Sequence, residues 1–303
     1  MPEALLEMRD VSKTFAAPGR QVHAARSVSL ALNAGRTLAL VGESGSGKTT
    51  CARLIMREYA PDSGELLFRG APIDASSHRN MRAYRQAVQM IFQDPFASLN
   101  PAHTIGYHLG RPLRLYGHGR SRAERQAAIA ALLEQVKLDP ELVGRFPHEL
   151  SGGQRQRISI ARALAVGPEV LVADEPTSML DVSVRLGILN LLNDMKRGLG
   201  LAVLYITHDI ATARYVAEDI MVMYAGQVVE WGPTESVLGQ PAHPYTRLLL
   251  SAVPDPDRPY SAGVGVGAEL ADIDRIRREA AAPQPLAEEV HPGHFVRPIP
   301  ARV

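Results

Sequence analysis

The chain has 303 residues, enough for one large domain with an appendage, and its 33 basic residues nearly cancel 32 acidic ones for a net charge of +1. That balance excludes the global basic field of a protein held to nucleic acid by charge alone. A single cysteine excludes an internal disulfide, and the apolar run Leu201 to Ile206 falls far short of the ~18 residues that cross a bilayer. The first nine residues lack the basic flank and long apolar stretch of a secretory signal, so the chain reads as soluble by itself.

Residues 5–11, 28–32 and 64–70 alternate between apolar and polar, which predicts a small antiparallel sheet with turns at Pro18-Gly19 and Asn33-Ala34-Gly35. Phe15, two residues after Lys13, reads either as an edge aromatic or as a flat ring that stacks on a base. The apolar run 37–41 predicts a strand that leads into Gly42-Glu43-Ser44-Gly45-Ser46-Gly47-Lys48-Thr49, a full match to G-x-x-x-x-G-K-[ST]. Helical residues from Thr50 to Met56 follow, so strand, glycine turn and helix come in the order of a phosphate cradle. The glycines let successive amides and the positive helix end face one polyphosphate. Lys48 then sets a point charge on the β- and γ-phosphates, and the Thr49 hydroxyl can ligate magnesium.

The strand expected at 88–92 delivers Gln93 to its carboxyl end, where ligands of open α/β sheets bind, although an ordinary loop residue fits the same place. From about 98 to 150 the pattern is helical, with a capping box at Ser121–Glu124 and Ile129, Leu132, Leu133 and Val136 on one face. This is a helical insertion within an α/β unit. Its basic cluster, Arg111, Arg114, Arg120, Arg122 and Arg125, reads as a solvated face. Leu150-Ser151-Gly152-Gly153-Gln154 precedes the helical stretch 155–166 and makes either a second anion site, with free amides and a dipole end, or a glycine-containing cap.

The strand 170–175 ends in two carboxylates. Asp174 can hold magnesium and Glu175 can orient or deprotonate a water attacking a γ-phosphate; a cap for the next helix is the alternative. Ser178-Met179-Leu180-Asp181 then opens a helix to about Gly198, and the buried strand 201–207 presents His208 as a structural residue or a γ-phosphate contact. Residues 220–225 and 227–230 predict a closing hairpin through Gly226. Beyond Gly232-Pro233 a short helix is expected at 243–251, a break at Pro254 to Asp257, and one more helix at 268–282 within a small appendage that is docked loosely or mobile in part.

With the phosphate loop, LSGGQ, the acidic strand end and the His208 strand end in this order, the chain resembles the ATP-binding subunits of ABC transporters. The resemblance implies an α/β fold with a P-loop NTPase core of mostly parallel sheet and an antiparallel β subdomain. It places the ATPase domain at 4–251, a helical subdomain at about 98–160 and a small C-terminal extension at 252–303. It implies ATP and Mg2+ as cofactors and hydrolysis of ATP to ADP and phosphate. Carried over by position, Phe15 stacks on adenine while Gly42, Glu43, Ser44, Gly45, Ser46, Gly47, Lys48, Thr49 and Thr50 hold ATP. Thr49, Gln93 and Asp174 serve the metal, and Glu175, His208, Lys48 and Gln93 form the catalytic set. Leu150, Ser151, Gly152, Gly153 and Gln154 reach the ATP of a partner subunit, and Asp181 makes a dimer contact. Met179 departs from the usual alanine, and Phe15 lacks the phenolic oxygen of the usual tyrosine.

A narrower resemblance rests on the segment Gln93 to Pro101, on Phe146-Pro147-His148-Glu149 and on His243-Pro244-Tyr245-Thr246. These are similar to the oligopeptide/dipeptide/nickel importer group. The implied partners are a second, homologous or identical ATP-binding subunit, two transmembrane permease subunits and, through the complex, an extracytoplasmic solute-binding protein, with no nucleic acid. The implied location is the cytoplasmic face of the cell membrane. Some members carry an iron–sulfur cluster on several cysteines, which a chain with Cys51 alone cannot form. Cys51 reads as a small buried residue beside the loop, where an alkylating reagent would inactivate unless ATP protects. The rival class is a soluble ABC ATPase acting on nucleic acid or ribosomes. Its usual zinc modules, long coiled coils or second ATPase unit have no counterpart in the sequence.

Overall fold

The computed structural model describes residues 4–251, 266–283 and 285–299. The expected break at Pro254 to Asp257 lies outside them. The chain begins with β1 (Leu6–Ala17), β2 (Arg20–Leu32), β3 (Thr37–Val41), α1 (Lys48–Ile55), β4 (Ser63–Phe68) and β5 (Ala71–Pro72). Next come α2 (His78–Ala87), β6 (Val88–Ile91), α3 (Pro95–Ser98), α4 (Ile105–Leu115), α5 (Arg122–Gln135) and, after two 3-10 turns, α6 (Gly152–Leu164). β7 (Val170–Asp174), α7 (Val182–Leu199), β8 (Ala202–Thr207), α8 (Ile210–Val216), β9 (Asp219–Tyr224) and β10 (Gln227–Pro233) follow. α9 (Thr234–Gly239), α10 (Pro244–Ser251), α11 (Val266–Ala281), β11 (Glu288–His291) and β12 (His294–Val296) complete the chain.

These elements form two compact units. One gathers Ala31–Thr37 and Leu66–Tyr205 with the described part of Met1–Glu7; the other gathers Met8–Leu30, Leu38–Glu65 and the described residues from Ile206 on. In the first unit β6 runs parallel to β7, from Val88 opposite Val170 to Ile91 opposite Ala173, and the strand order is β8-β7-β6. β7 is buried along its whole length, as a strand covered on both faces must be, which is why it reads as an unbroken apolar run. The inserted helices α4, α5 and α6 pack on one another. α5 starts on the expected capping box and buries Ile129, Leu132 and Leu133. α2 is absent from the sequence reading because it is mostly polar, with only Met81, Tyr84 and Ala87 buried, and Ser77 caps its start.

In the second unit β3 lies parallel to β9, from Leu38 opposite Asp219 to Val41 opposite Val222. β9 turns through Ala225 and Gly226, both with positive φ (46° and 83°), into antiparallel β10. Val41, Val222, Val229, Tyr245 and Ala280 share one core, so α10 and α11 are packed parts of this unit. The tail is more firmly attached than the sequence suggests. β12 pairs with β10, and a wholly buried ion-pair geometry, His294 Nε2 to Glu230 Oε1 at 2.7 Å, pins it there. The other Glu230 bonds come from the amides of Ala242 and His243, so its carboxylate is satisfied in the interior. The hairpin escaped the sequence reading because β11 is Glu-Glu-Val-His, exposed throughout and without apolar alternation. Among the described residues, no helix is long and apolar enough to cross a membrane.

Candidate active site

The phosphate loop occupies the turn between β3 and α1, and its backbone demands glycine. Gly42 sits at φ +152° and Gly47 at φ +108°, where an added Cβ would lie 2.1 Å from the carbonyl oxygens of Met223 and Ala24 respectively. No side chain caps α1 at Gly47, which suits a helix start whose donors are reserved for an anion. Lys48 is buried, and its Nζ donates to the carbonyls of Gly42 and Glu43 at 2.8 Å each. The Ser46 carbonyl accepts from the Gly226 amide at 2.9 Å, which ties the loop to the β9–β10 turn. Cys51, three residues into α1, is buried, and burial pushes its thiol up to about 12. The burial agrees with the reading of Cys51 as a small buried residue, and it counts against the alkylation expected there, because the thiolate is the nucleophile and burial disfavours both its formation and its access.

Phe15 is half-buried on β1, edge-on to Tyr59 with centroids 5.1 Å apart and with Lys13 Nζ 5.6 Å over its ring. Lys13 in turn bonds Asp62 at 2.7 Å; that bond, helped by the Thr14 amide, holds the Asp62 carboxyl below its ordinary range. Tyr59 and Asp62 escaped the sequence reading, since nothing local marks them as supports of Phe15. His208 is exposed at the end of β8, and the following Asp209 caps α8 through the amides of Ala211 and Thr212.

In the other unit the structure brings Gln93 and Glu175 together. Gln93 Nε2 donates to Glu175 Oε2 at 2.9 Å across the ends of β6 and β7. Glu175 has φ +46°, a left-handed backbone that a non-glycine residue adopts only at a cost of ~1 kcal/mol or more. Its carbonyl accepts from the Ser178 hydroxyl and amide, which folds the Pro176–Ser178 turn tightly against the strand end. Asp174 is buried at the last position of β7.

LSGGQ is a capped helix start. Ser151 Oγ accepts from the Gln154 amide at 3.3 Å, and Gln154 Oε1 accepts from the Ser151 amide at 2.9 Å. One of the amides expected to be free is therefore used by the cap; those of Gly152 and Gly153 belong to a first turn without intrahelical acceptors. Gly153 has a packing reason as well, since a Cβ there would lie 2.5 Å from Val184 Cγ1 at the start of α7. The signature and the Asp181 turn are thus neighbours, and Asp181 itself is exposed at the α7 N-cap. Two arginines missed by sequence reading fix this region. Arg155 donates to the Leu150 carbonyl at 2.9 and 2.6 Å, and Arg162 donates to the Ser98 carbonyl in the segment that follows Gln93. Arg162 is half-buried, and that burial lowers its pKa from the ordinary value.

A glycine phosphate loop, a strand-end acid pair and a capped signature helix define the nucleotide-binding cassettes. The family model for ABC transporter matches residues 25–178, and the chain belongs to that family. Residues 229–278 match a second model, the oligopeptide/dipeptide transporter C-terminal region. The glutathione import ATP-binding protein GsiA of Salmonella paratyphi A is 47% identical over 283 residues, 92% of this chain and 45% of that protein. GsiA of Escherichia coli strain K12 is 48% identical over 281 residues, 91% of this chain and 44% of that protein. The chain thus spans about half the length of the curated relatives it matches. Among solved structures, the dimeric ATP-binding cassette MJ0796 in a post-hydrolysis state bound to ADP and Pi superposes with TM-score 0.68 at 29% identity, covering 76% of this chain and 98% of that one. CbiO1 of Clostridium perfringens, part of the ABC transporter complex cbiONQ, superposes with TM-score 0.70 at 26% identity, covering 78% and 92%.

Proposed function

We propose that the chain binds and hydrolyses ATP as a subunit of an ABC importer, at the cytoplasmic face of the membrane. Glu175, oriented by the Gln93 amide, is the observation that carries this reading. A carboxylate held at a strand end in a strained backbone is suited to orient or deprotonate the attacking water, and Lys48 to hold the β- and γ-phosphates. Phe15 stacks on adenine and His208 bonds the γ-phosphate. Thr49, Gln93 and Asp174 offer the hydroxyl, amide and carboxylate oxygens that magnesium prefers. Bound magnesium would neutralise charge that develops on the phosphate oxygens.

A second ATP-binding subunit completes the site through Ser151, Gly152 and Gly153, with Asp181 at the seam. Support comes from the surface beside the signature: Met179, Val182 and Leu186 are 59, 78 and 51% exposed, an apolar strip suited to a partner. Two permease subunits and a solute-binding protein complete the assembly. The solute is a small peptide, with glutathione the first candidate because the similar GsiA proteins are glutathione import ATP-binding proteins. The test is to isolate the intact assembly from membranes, identify its chains and measure ATP-dependent accumulation of labelled glutathione in reconstituted vesicles. Two hydrophobic permeases, a second ATPase chain and uptake are expected. Recovery with ribosomes or nucleic acid and without permeases would overturn the reading.

A further inference from the structure

Three groups converge on one residue of the phosphate loop. The Tyr245 hydroxyl on α10 accepts from the Glu43 amide at 3.2 Å, Arg277 Nη2 on α11 donates to Glu43 Oε1 at 2.9 Å, and the Glu43 carbonyl accepts from Lys48 Nζ at 2.8 Å. Neither Tyr245 nor Arg277 belongs to the loop or to any motif of the nucleotide site. Both come from the far C-terminal part of the chain, 202 and 234 residues away.

The frame that holds them is packed and hydrogen-bonded. Tyr245 is wholly buried, its ring 4.3 Å from that of Tyr224, in the core that also contains Val41 at the end of β3. Ile276 of α11 packs on the same core, and the end of α11 is tied down by Arg26 Nη1 on the Ala281 carbonyl and Gln227 Nε2 on the Ala282 carbonyl. The Glu43 amide thus bonds a hydroxyl whose ring is packed in the core, one peptide before the carbonyl that binds Lys48.

We propose that Tyr245 and Arg277 are positioning residues for the phosphate loop, holding Glu43 so that Lys48 stays in the cradle and thereby setting the affinity for a nucleoside triphosphate. The inference rests on the reading of this loop as an ATP site. The two contacts differ in kind. The Tyr245 bond is part-buried and joins two uncharged groups, which salt does not screen, whereas Arg277 and Glu43 are an ion pair with side chains 45 and 37% accessible, and salt screens such a pair.

The experiment titrates full-length protein with ATP and measures hydrolysis and apo-protein melting for Tyr245→Phe and Arg277→Gln. Phenylalanine keeps the ring packing and removes only the acceptor. Tyr245→Phe is expected to raise Kd and KM for ATP about 3- to 10-fold, the worth of one hydrogen bond, with kcat unchanged within about 2-fold. Its melting temperature without nucleotide falls by no more than the few degrees that one lost hydrogen bond is worth. Arg277→Gln is expected to raise Kd about 2-fold at low salt and to lose that effect at high salt. Wild-type Kd in Tyr245→Phe, or a lower melting temperature with Kd unmoved, would overturn the positioning role alone. Failure of the wild-type chain to bind ATP would overturn the reading of the loop and this inference with it.

Discussion

The phosphate loop and the acidic strand end are built in opposite ways. Around the loop the polar groups have partners: Lys48 bonds two loop carbonyls, Glu43 is held from α10 and α11, and glycine takes the positive-φ positions. At the end of β7, by contrast, a glutamate occupies a left-handed backbone, and the turn beyond it exposes Met179 and Val182. A prefolded cradle suits tight binding, while a strained carboxylate beside an apolar strip suits a step that waits for a partner. On the proposed function, substitutions in the two regions therefore separate nucleotide affinity from turnover.

The largest expected effect is on turnover. Glu175→Gln keeps an oxygen for the Gln93 amide and removes the base, so kcat should fall on the order of 10²–10⁴-fold with ATP affinity within about 2-fold of wild type, by paired titration and phosphate release. Wild-type kcat in that variant would remove Glu175 from the chemistry. Gly47→Ala acts on the other region. Its Cβ would meet the Ala24 carbonyl at 2.1 Å, and the strain of ~1–3 kcal/mol should weaken ATP binding about 10- to 100-fold.

Gly153→Ala probes the packing of the signature helix on α7. Overpacking against Val184 should cost about 1–3 kcal/mol in thermal or urea unfolding, and Val184→Ala in the double variant should recover most of it. No recovery would mean that the close approach is not the reason for glycine there. The smallest effect is none at all: Cys51, buried with its thiol pushed up to about 12, should resist alkylation in the native chain with or without ATP. Labelling at the rate of the unfolded chain would contradict the burial.

The strands β3, β7 and β8 were legible because buried parallel strands are continuous apolar runs, and the loop and signature were legible because their chemistry fixes residue types at short spacing. The Gln93–Glu175 contact was legible only as two separate strand ends, 82 positions apart. Supports at long separation left no local trace. Arg162 on the Ser98 carbonyl, Tyr245 on the Glu43 amide and Glu230 under His294 each join distant parts of the chain. Tyr245 sits in the His-Pro-Tyr-Thr segment that marks the importer group, yet sequence assigns it no partner. β11 and α2 were missed for another reason, since their exposure hides the apolar period on which such readings depend.

On the proposed function, ATP held by one phosphate loop is hydrolysed only when the signature of a second subunit covers it. The direct measurement is the turnover of the assembled complex carrying Ser151→Arg, alongside ATP binding by the altered chain. Unchanged affinity for ATP at that chain's own loop is expected, with turnover reduced at least about 10-fold. Wild-type turnover with arginine in place of Ser151 would contradict it.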